Sequence, residues 1–172
     1  MTNDIYIDLA RHLDKLPAGY PPTDNGVEIR ILQRLFTPIH ARLTMYLTLI
    51  AEEARIIAYR SGIPLVETTQ LLEEMDAKGL IFSIPNKSGI LYYRIQQFVV
   101  GFWEGQVNLL NPELVVDFEE YLHTFIDLDL WQKIPQLRTI PIGKSIELRT
   151  DVLPYERAAT LIGNQNTLAV NN

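Results

Sequence analysis

The side chains best suited to acid–base or metal chemistry near neutral pH are the three histidines, His12, His40 and His123, which stand far apart in the chain. His123 and Asp127 are four residues apart with Asp129 close by, a spacing that lets two ligands share a helix face. Zinc sites draw on three or four ligands, so this group reads as a surface histidine beside solvated carboxylates. Glu52-Glu53 and Glu119-Glu120 are adjacent pairs. Neighbours on a helix point to different faces and cannot act as a catalytic couple. Gly143-Lys144-Ser145 echoes the end of a phosphate-binding loop, but Arg138 and Thr139 stand where the first glycine belongs. The sequence contains no cysteine, which excludes disulfides, thiolate metal ligands and cysteine nucleophiles within these residues. The expectation is therefore a non-enzymatic chain with no catalytic, cofactor-binding or metal-binding residues of its own.

Placement of the remaining polar residues depends on the elements that carry them, and the stretch from Glu52 to Gln96 organises the chain. A helix is expected over Glu52–Arg60, closed at Ser61-Gly62, where glycine can take a positive φ. Pro64 opens a second helix, where its missing N–H is no loss, and that helix runs to Lys78 and stops at Gly79. Beyond it, Leu80–Ile84 and Ile90–Gln96 are β-rich runs separated by Pro85-Asn86-Lys87-Ser88-Gly89, a turn sequence. Helix, tight turn, helix and hairpin describe a winged helix-turn-helix, in a chain that is mainly α with a small β-hairpin.

Flanking helices are expected on both sides of this core. Ile5–Leu16 is amphipathic, PAGYPPTDNG is a connector, and Val27–Phe36 turns Ile29, Leu32, Leu35 and Phe36 inward. Thr37-Pro38 reads as a cap and first-turn proline for a helix reaching about Leu47. After the hairpin, Gln97–Leu110 is expected to be an apolar helix with Gly101 and Gly105 on one packing face, next to Phe102 and Trp103. Two glycines weaken a helix by about 1 kcal/mol each relative to alanine, so they imply close approach of another backbone, within the fold or across a dimer. Asn111-Pro112 caps a helix over Glu113–Phe125, with Leu114, Val115, Phe118, Leu122 and Phe125 as its buried stripe. The tail offers an extended run at Leu137–Ile142 and a helix over Pro154–Ile162. The chain divides on this view into residues 1–36, the core 37–96, a helical pair 97–135 and a tail 136–172.

The formal net charge of −6 opposes generic attraction to nucleic acid. A DNA-reading winged helix would lay its second helix in the major groove, with Arg, Lys, Asn and Gln reading base edges. Over Pro64–Lys78 there is one cation, Lys78, against Glu67, Glu73, Glu74 and Asp76, a net charge of −3. Thr68, Thr69 and Gln70 offer neutral contacts, and the wing offers Lys87 and Arg94. From Arg30 to Arg94 the balance is +2, eight Lys or Arg against six Asp or Glu, with Arg30, Arg34, Arg42, Arg55 and Arg60 on helices. Arg55, Arg60, Glu67, Thr68, Thr69, Gln70 and Lys87 are thus the candidate DNA or partner surface. No apolar run approaches the roughly 20 residues of a membrane span, and MTNDIYID lacks signal-peptide features, so a cytoplasmic location without membrane contact is expected.

Five segments, GYPPTDNGVEIRILQRLFTP, LLEEMDAKGLIF, QFVVGFWEGQVNLLNPELVVDFEEY, PQLRTIPIG and VLPYERAATLI, together resemble the N-terminal region of a family of 4Fe–4S ferredoxin-type proteins of anaerobes. The resemblance runs from about Ile5 to Asn172 and lies in the order of the segments. It implies a winged-helix region ahead of cysteine-rich motifs that hold the clusters through thiolates, in an electron-transfer protein. This chain reaches no cysteine, so no cluster ligand carries over, and its TLAVNN ending reads as a cut through a longer chain. The function implied is an interaction or regulatory module whose partner is another protein or its own iron–sulfur domain. The alternative is a dimeric transcription regulator of the multiple-antibiotic-resistance-repressor (MarR) type that binds DNA.

Overall fold

Tyr6, Leu9, Ala10 and Leu13 recur at helical intervals and make the buried face of α1 (Thr2–Asp14). The computed structural model describes residues 2–126 together with Lys133, Gly163 and Asn164. By contact the chain separates into Met1–Gln136 and Leu137–Asn172. The expected strand at Leu137–Ile142 and helix at Pro154–Ile162 lie outside the described residues, as do Asp127 and Asp129.

In the order of the chain, α1 is followed by α2 (Val27–Leu35), α3 (Pro38–Thr44), β1 (Glu52–Glu53), α4 (Ala54–Ser61), α5 (Leu65–Ala77), β2 (Ile81–Pro85), β3 (Leu91–Ile95) and α6 (Pro112–Phe125). The protein is mainly helical, with a small antiparallel sheet in the order β1-β3-β2. Thr37 caps α3 as expected, its hydroxyl accepting from the His40 N–H. Between β2 and β3 the Asn86 side chain accepts from the Ser88 and Ile90 N–H groups, which closes the hairpin.

The sheet has one strand more than the expected hairpin. Glu52 and Glu53 do not begin a helix; they pair with Tyr93 and Tyr92 of β3, and the Ile95 N–H donates to the Thr48 carbonyl just before them. Glutamate favours helix only weakly as an isolated choice, and ladder pairing beside β3 overrides that preference. The helix starts two residues later, at Ala54.

Gln97–Leu110 is likewise not a helix. It is a series of turns around a single 3-10 turn, Glu104–Gln106, so Gly101 and Gly105 do not form a helical packing face. The N–H groups of Phe102 and Trp103 donate to Gln97 and Phe98, whereas that of Gln106 reaches only Trp103. Gly101 folds so tightly on Gln97 that a Cβ would overlap the Gln97 carbonyl, and Gly105 rests against the backbone of Gly79. The buried Gln106 amide fastens this segment by donating to the carbonyls of Lys78 (2.9 Å) and Phe102 (3.1 Å).

Asn111 caps α6 through the Leu114 N–H. The buried stripe of α6 is Leu114, Asp117, Tyr121 and Phe125; Val115, Phe118 and Leu122 are half-buried. The difference has an electrostatic cause. Asp117 is drawn inward by α2, whose Arg30 and Arg34 reach it at 3.2 and 2.6 Å, and Arg30 also holds Glu120 at 2.7 Å. Above that pairing Phe98 packs against Tyr20, Phe102, Tyr121 and Phe125, while Trp103 stacks on Phe118 with centroids 3.7 Å apart. This aromatic cluster joins the connector, the segment after the sheet and α6 into the same core as α1 to α5.

Candidate functional site

Six of the candidate residues, Arg55, Arg60, Glu67, Thr68, Thr69 and Gln70, lie on α4 and α5. Gly62 ends α4 at φ 72°, with its N–H on the Ala58 carbonyl at 2.9 Å. Pro64 precedes α5, and its carbonyl accepts from the Thr68 N–H at 2.8 Å. The Thr68 side chain is fully buried and its hydroxyl donates to the Ile63 carbonyl at 3.2 Å. Thr68 therefore braces the turn from inside and is not part of a contact surface. Thr69 is half-buried with its hydroxyl turned back to the Leu65 carbonyl. Gln70 is exposed and donates to Glu74, and Glu67 is exposed.

The arginines of the candidate surface are paired with carboxylates. Arg55 donates through Nε to Glu53 at 2.6 Å, and Arg60 donates to the Tyr46 carbonyl at 2.6 Å and to the Glu52 carboxylate. The two glutamates of β1 thus neutralise the two arginines of α4. Hydrogen bonds from Arg60 and Arg55 hold the Glu52 and Glu53 carboxyls below their ordinary range. Arg30 and Arg34, which enter the +2 balance of Arg30 to Arg94, are engaged by Asp117 on the α2–α6 side. Arg94 lies over the Phe82 ring at 5.0 Å on the sheet, and Lys87 is exposed at the hairpin tip. The favourable balance between Arg30 and Arg94 consequently does not translate into a basic patch: four of its five helical arginines face carboxylates.

Exposed apolar side chains stand at the end of α4 and the start of α5. Tyr59 is 91% exposed and Val66 83%, with Leu65 half-exposed between them in sequence. Beside them an open cavity of about 470 Å³ lies between α4 and the start of α5, lined by Arg55, Tyr59, Gly62, Ile63, Pro64 and Leu65. Val66, Gln70 and Glu73 follow one another along the solvent side of α5, opposite the buried Thr68, Leu71, Leu72 and Met75. Tyr59, Leu65 and Val66 escape attention in the sequence because apolar residues there look like core. For Val66 the separating signal is phase, since it falls on the polar side of the stripe set by Leu72 and Met75; Leu65 is in phase with Leu72, and Tyr59 lies on α4.

Gly101 and Gly105 lie away from this surface in the segment after the sheet, Gly105 against the end of α5. His40 is buried with Nε2 3.4 Å from Glu74, and His123 is exposed on α6. Among the described residues no group of three or more His, Asp or Glu side chains is placed to hold a metal ion, and no helix is long and apolar enough to cross a membrane. Compared with protein families, with curated proteins and with solved structures, the chain matches none.

Proposed function

We propose that this chain is a non-catalytic winged-helix module that docks protein through α4, α5 and the turn between them. The winged-helix assignment is supported by the order α3, β1, α4, α5, β2, β3 and by β3 lying between β1 and β2. Fold alone does not choose between DNA and protein as partner. The observation that carries the choice is the solvent face of α5, which presents Val66, Glu67 and Glu73 beside the exposed Tyr59 of α4, where a DNA reader needs cations. Phosphate contacts supply most DNA affinity, and Arg55 and Arg60 are already paired with glutamates. The sequence resemblance extends the proposal: the module positions an iron–sulfur domain, or a redox partner of one, in an electron-transfer protein.

A titration with DNA from upstream of its own gene, repeated between about 50 and 200 mM salt, tests the partner class. Weak binding without sequence preference is expected. A tight complex that weakens steeply with salt would instead establish the alternative, a MarR-like DNA-binding regulator. The iron–sulfur part is tested by the coding sequence beyond Asn172 and by the colour of its purified full-length product. An immediate stop codon and a colourless product would end that part.

A further inference from the structure

Resting on the protein-docking proposal, we infer that the α4–α5 surface accepts a cationic amphipathic segment of another protein, an apolar anchor flanked by Lys or Arg. Two features of the surface specify this occupant. Its N-terminal end is apolar: Tyr59, Leu65 and Val66 stand exposed around an open cavity large enough for one or two side chains. Its length is acidic: Glu67, Glu73 and Glu74 are exposed along α5, whose carboxylates outnumber its neighbouring cation Lys78. Arg55 at the cavity edge adds no net charge because Glu53 holds it at 2.6 Å.

Charge decides among the occupants. Nucleic acid would set phosphates against Glu67 and Glu73. A second copy joined by a two-fold axis would bring the same patch to itself, so the carboxylates of one α5 would face those of the other. A cationic segment is the one that gains from the acidic length while its apolar side chains cover Tyr59 and Val66. Anchor and charge must act together, since an exposed ion pair alone contributes little.

Binding is measured by fluorescence anisotropy with three labelled peptides: an amphipathic Leu/Lys helix, the same composition scrambled so that no apolar face exists, and a Leu/Glu helix of the same pattern. The Leu/Lys helix is expected to bind at least about tenfold more tightly than either other peptide, a difference of about 1.4 kcal/mol. Tyr59→Ser combined with Val66→Ser should remove at least that tenfold, and Glu67→Lys with Glu73→Lys should reverse the preference toward the Leu/Glu helix. All four positions are exposed, so unchanged circular dichroism and melting temperature verify that each variant is folded. Equal binding of the amphipathic and scrambled cationic peptides, or indifference to the variants, overturns the inference. So does a concentration-dependent dimer that Tyr59→Ser with Val66→Ser dissolves, because the occupant is then a second copy. Failure of every peptide together with failure of DNA overturns only the cationic occupant; tight DNA binding overturns the docking proposal beneath it.

Discussion

The backbone of Gly105 lies directly against the backbone of Gly79: a Cβ built on Gly79 would sit 2.7 Å from both the Cα and the carbonyl oxygen of Gly105. Gly79 also ends α5 at φ 67°, a left-handed conformation that side chains with a Cβ rarely adopt. This one contact fixes where the segment after the sheet crosses the end of α5, and the Gln106 amide secures it from the other side.

Gly105→Ala is therefore expected to destabilise the protein by about 1–3 kcal/mol, since the overlap is with backbone that cannot turn aside. Gly79→Ala should lose more, because it adds backbone strain to the same overlap. Gly62→Ala is the comparison: its φ is also positive, but nothing lies within 4 Å, so only the strain of about 1–2 kcal/mol remains. Urea unfolding of the three variants checks the order. A Gly105→Ala variant as stable as the wild type, with Gly79→Ala losing no more than Gly62→Ala, would mean that the Gly79–Gly105 approach carries no energetic weight.

Asp117 offers a test of the α2–α6 join. Its side chain is only 7% exposed and accepts from both Arg30 and Arg34, whose own side chains are 40% and 39% exposed. Solvent at the arginines reduces the interaction below that of a fully buried pair. Asp117→Asn is expected to lower stability by about 1–3 kcal/mol, while Glu120→Gln, at an exposed position, should change it by about 0.5 kcal/mol or less. The two denaturant midpoints decide whether the buried carboxylate is the centre of this network.

His40 makes stability depend on pH. Burial pushes its pKa down from the ordinary 6.5, Lys78 acts in the same direction, and the hydrogen bond to Glu74 opposes them. The unfolded chain therefore takes up the proton at a higher pH than the folded one. Stability is complete above the unfolded value and falls as pH drops from there toward the lower folded value. His12, also lowered by burial, adds a loss of the same sign. His40→Gln should flatten part of the decline in urea midpoint between about pH 7.5 and 5. A wild-type stability that rises over that interval would contradict the assignment.

The helix caps can be tested at Asn111 and Thr37, whose side chains accept from the Leu114 and His40 N–H groups. Asn111→Ala and Thr37→Ala are each expected to lose about 1 kcal/mol. Thermal melts of the single and double variants should show nearly additive losses, because the two caps lie on different helices.

Much of the framework was legible in the residues themselves. Gly62, Pro64, Gly79, Thr37-Pro38 and Asn111-Pro112 mark helix ends through local backbone chemistry, and the positions they predict agree with the observed helices to within about two residues. The Pro85–Gly89 turn was readable for the same reason. Three matters were settled only by tertiary contact. Glu52 and Glu53 became a strand because β3 lay alongside them, and Gln97–Leu110 was bent into turns because Gly101 and Gly105 allowed backbone to approach backbone. The candidate surface was decided by pairing across elements: Thr68 turned inward, Asp117 claimed Arg30 and Arg34, and Glu52 and Glu53 claimed Arg60 and Arg55. Sequence counts charges, but which of them face solvent unpaired depends on distances of a few ångströms between residues remote along the chain, and only the fold sets those distances.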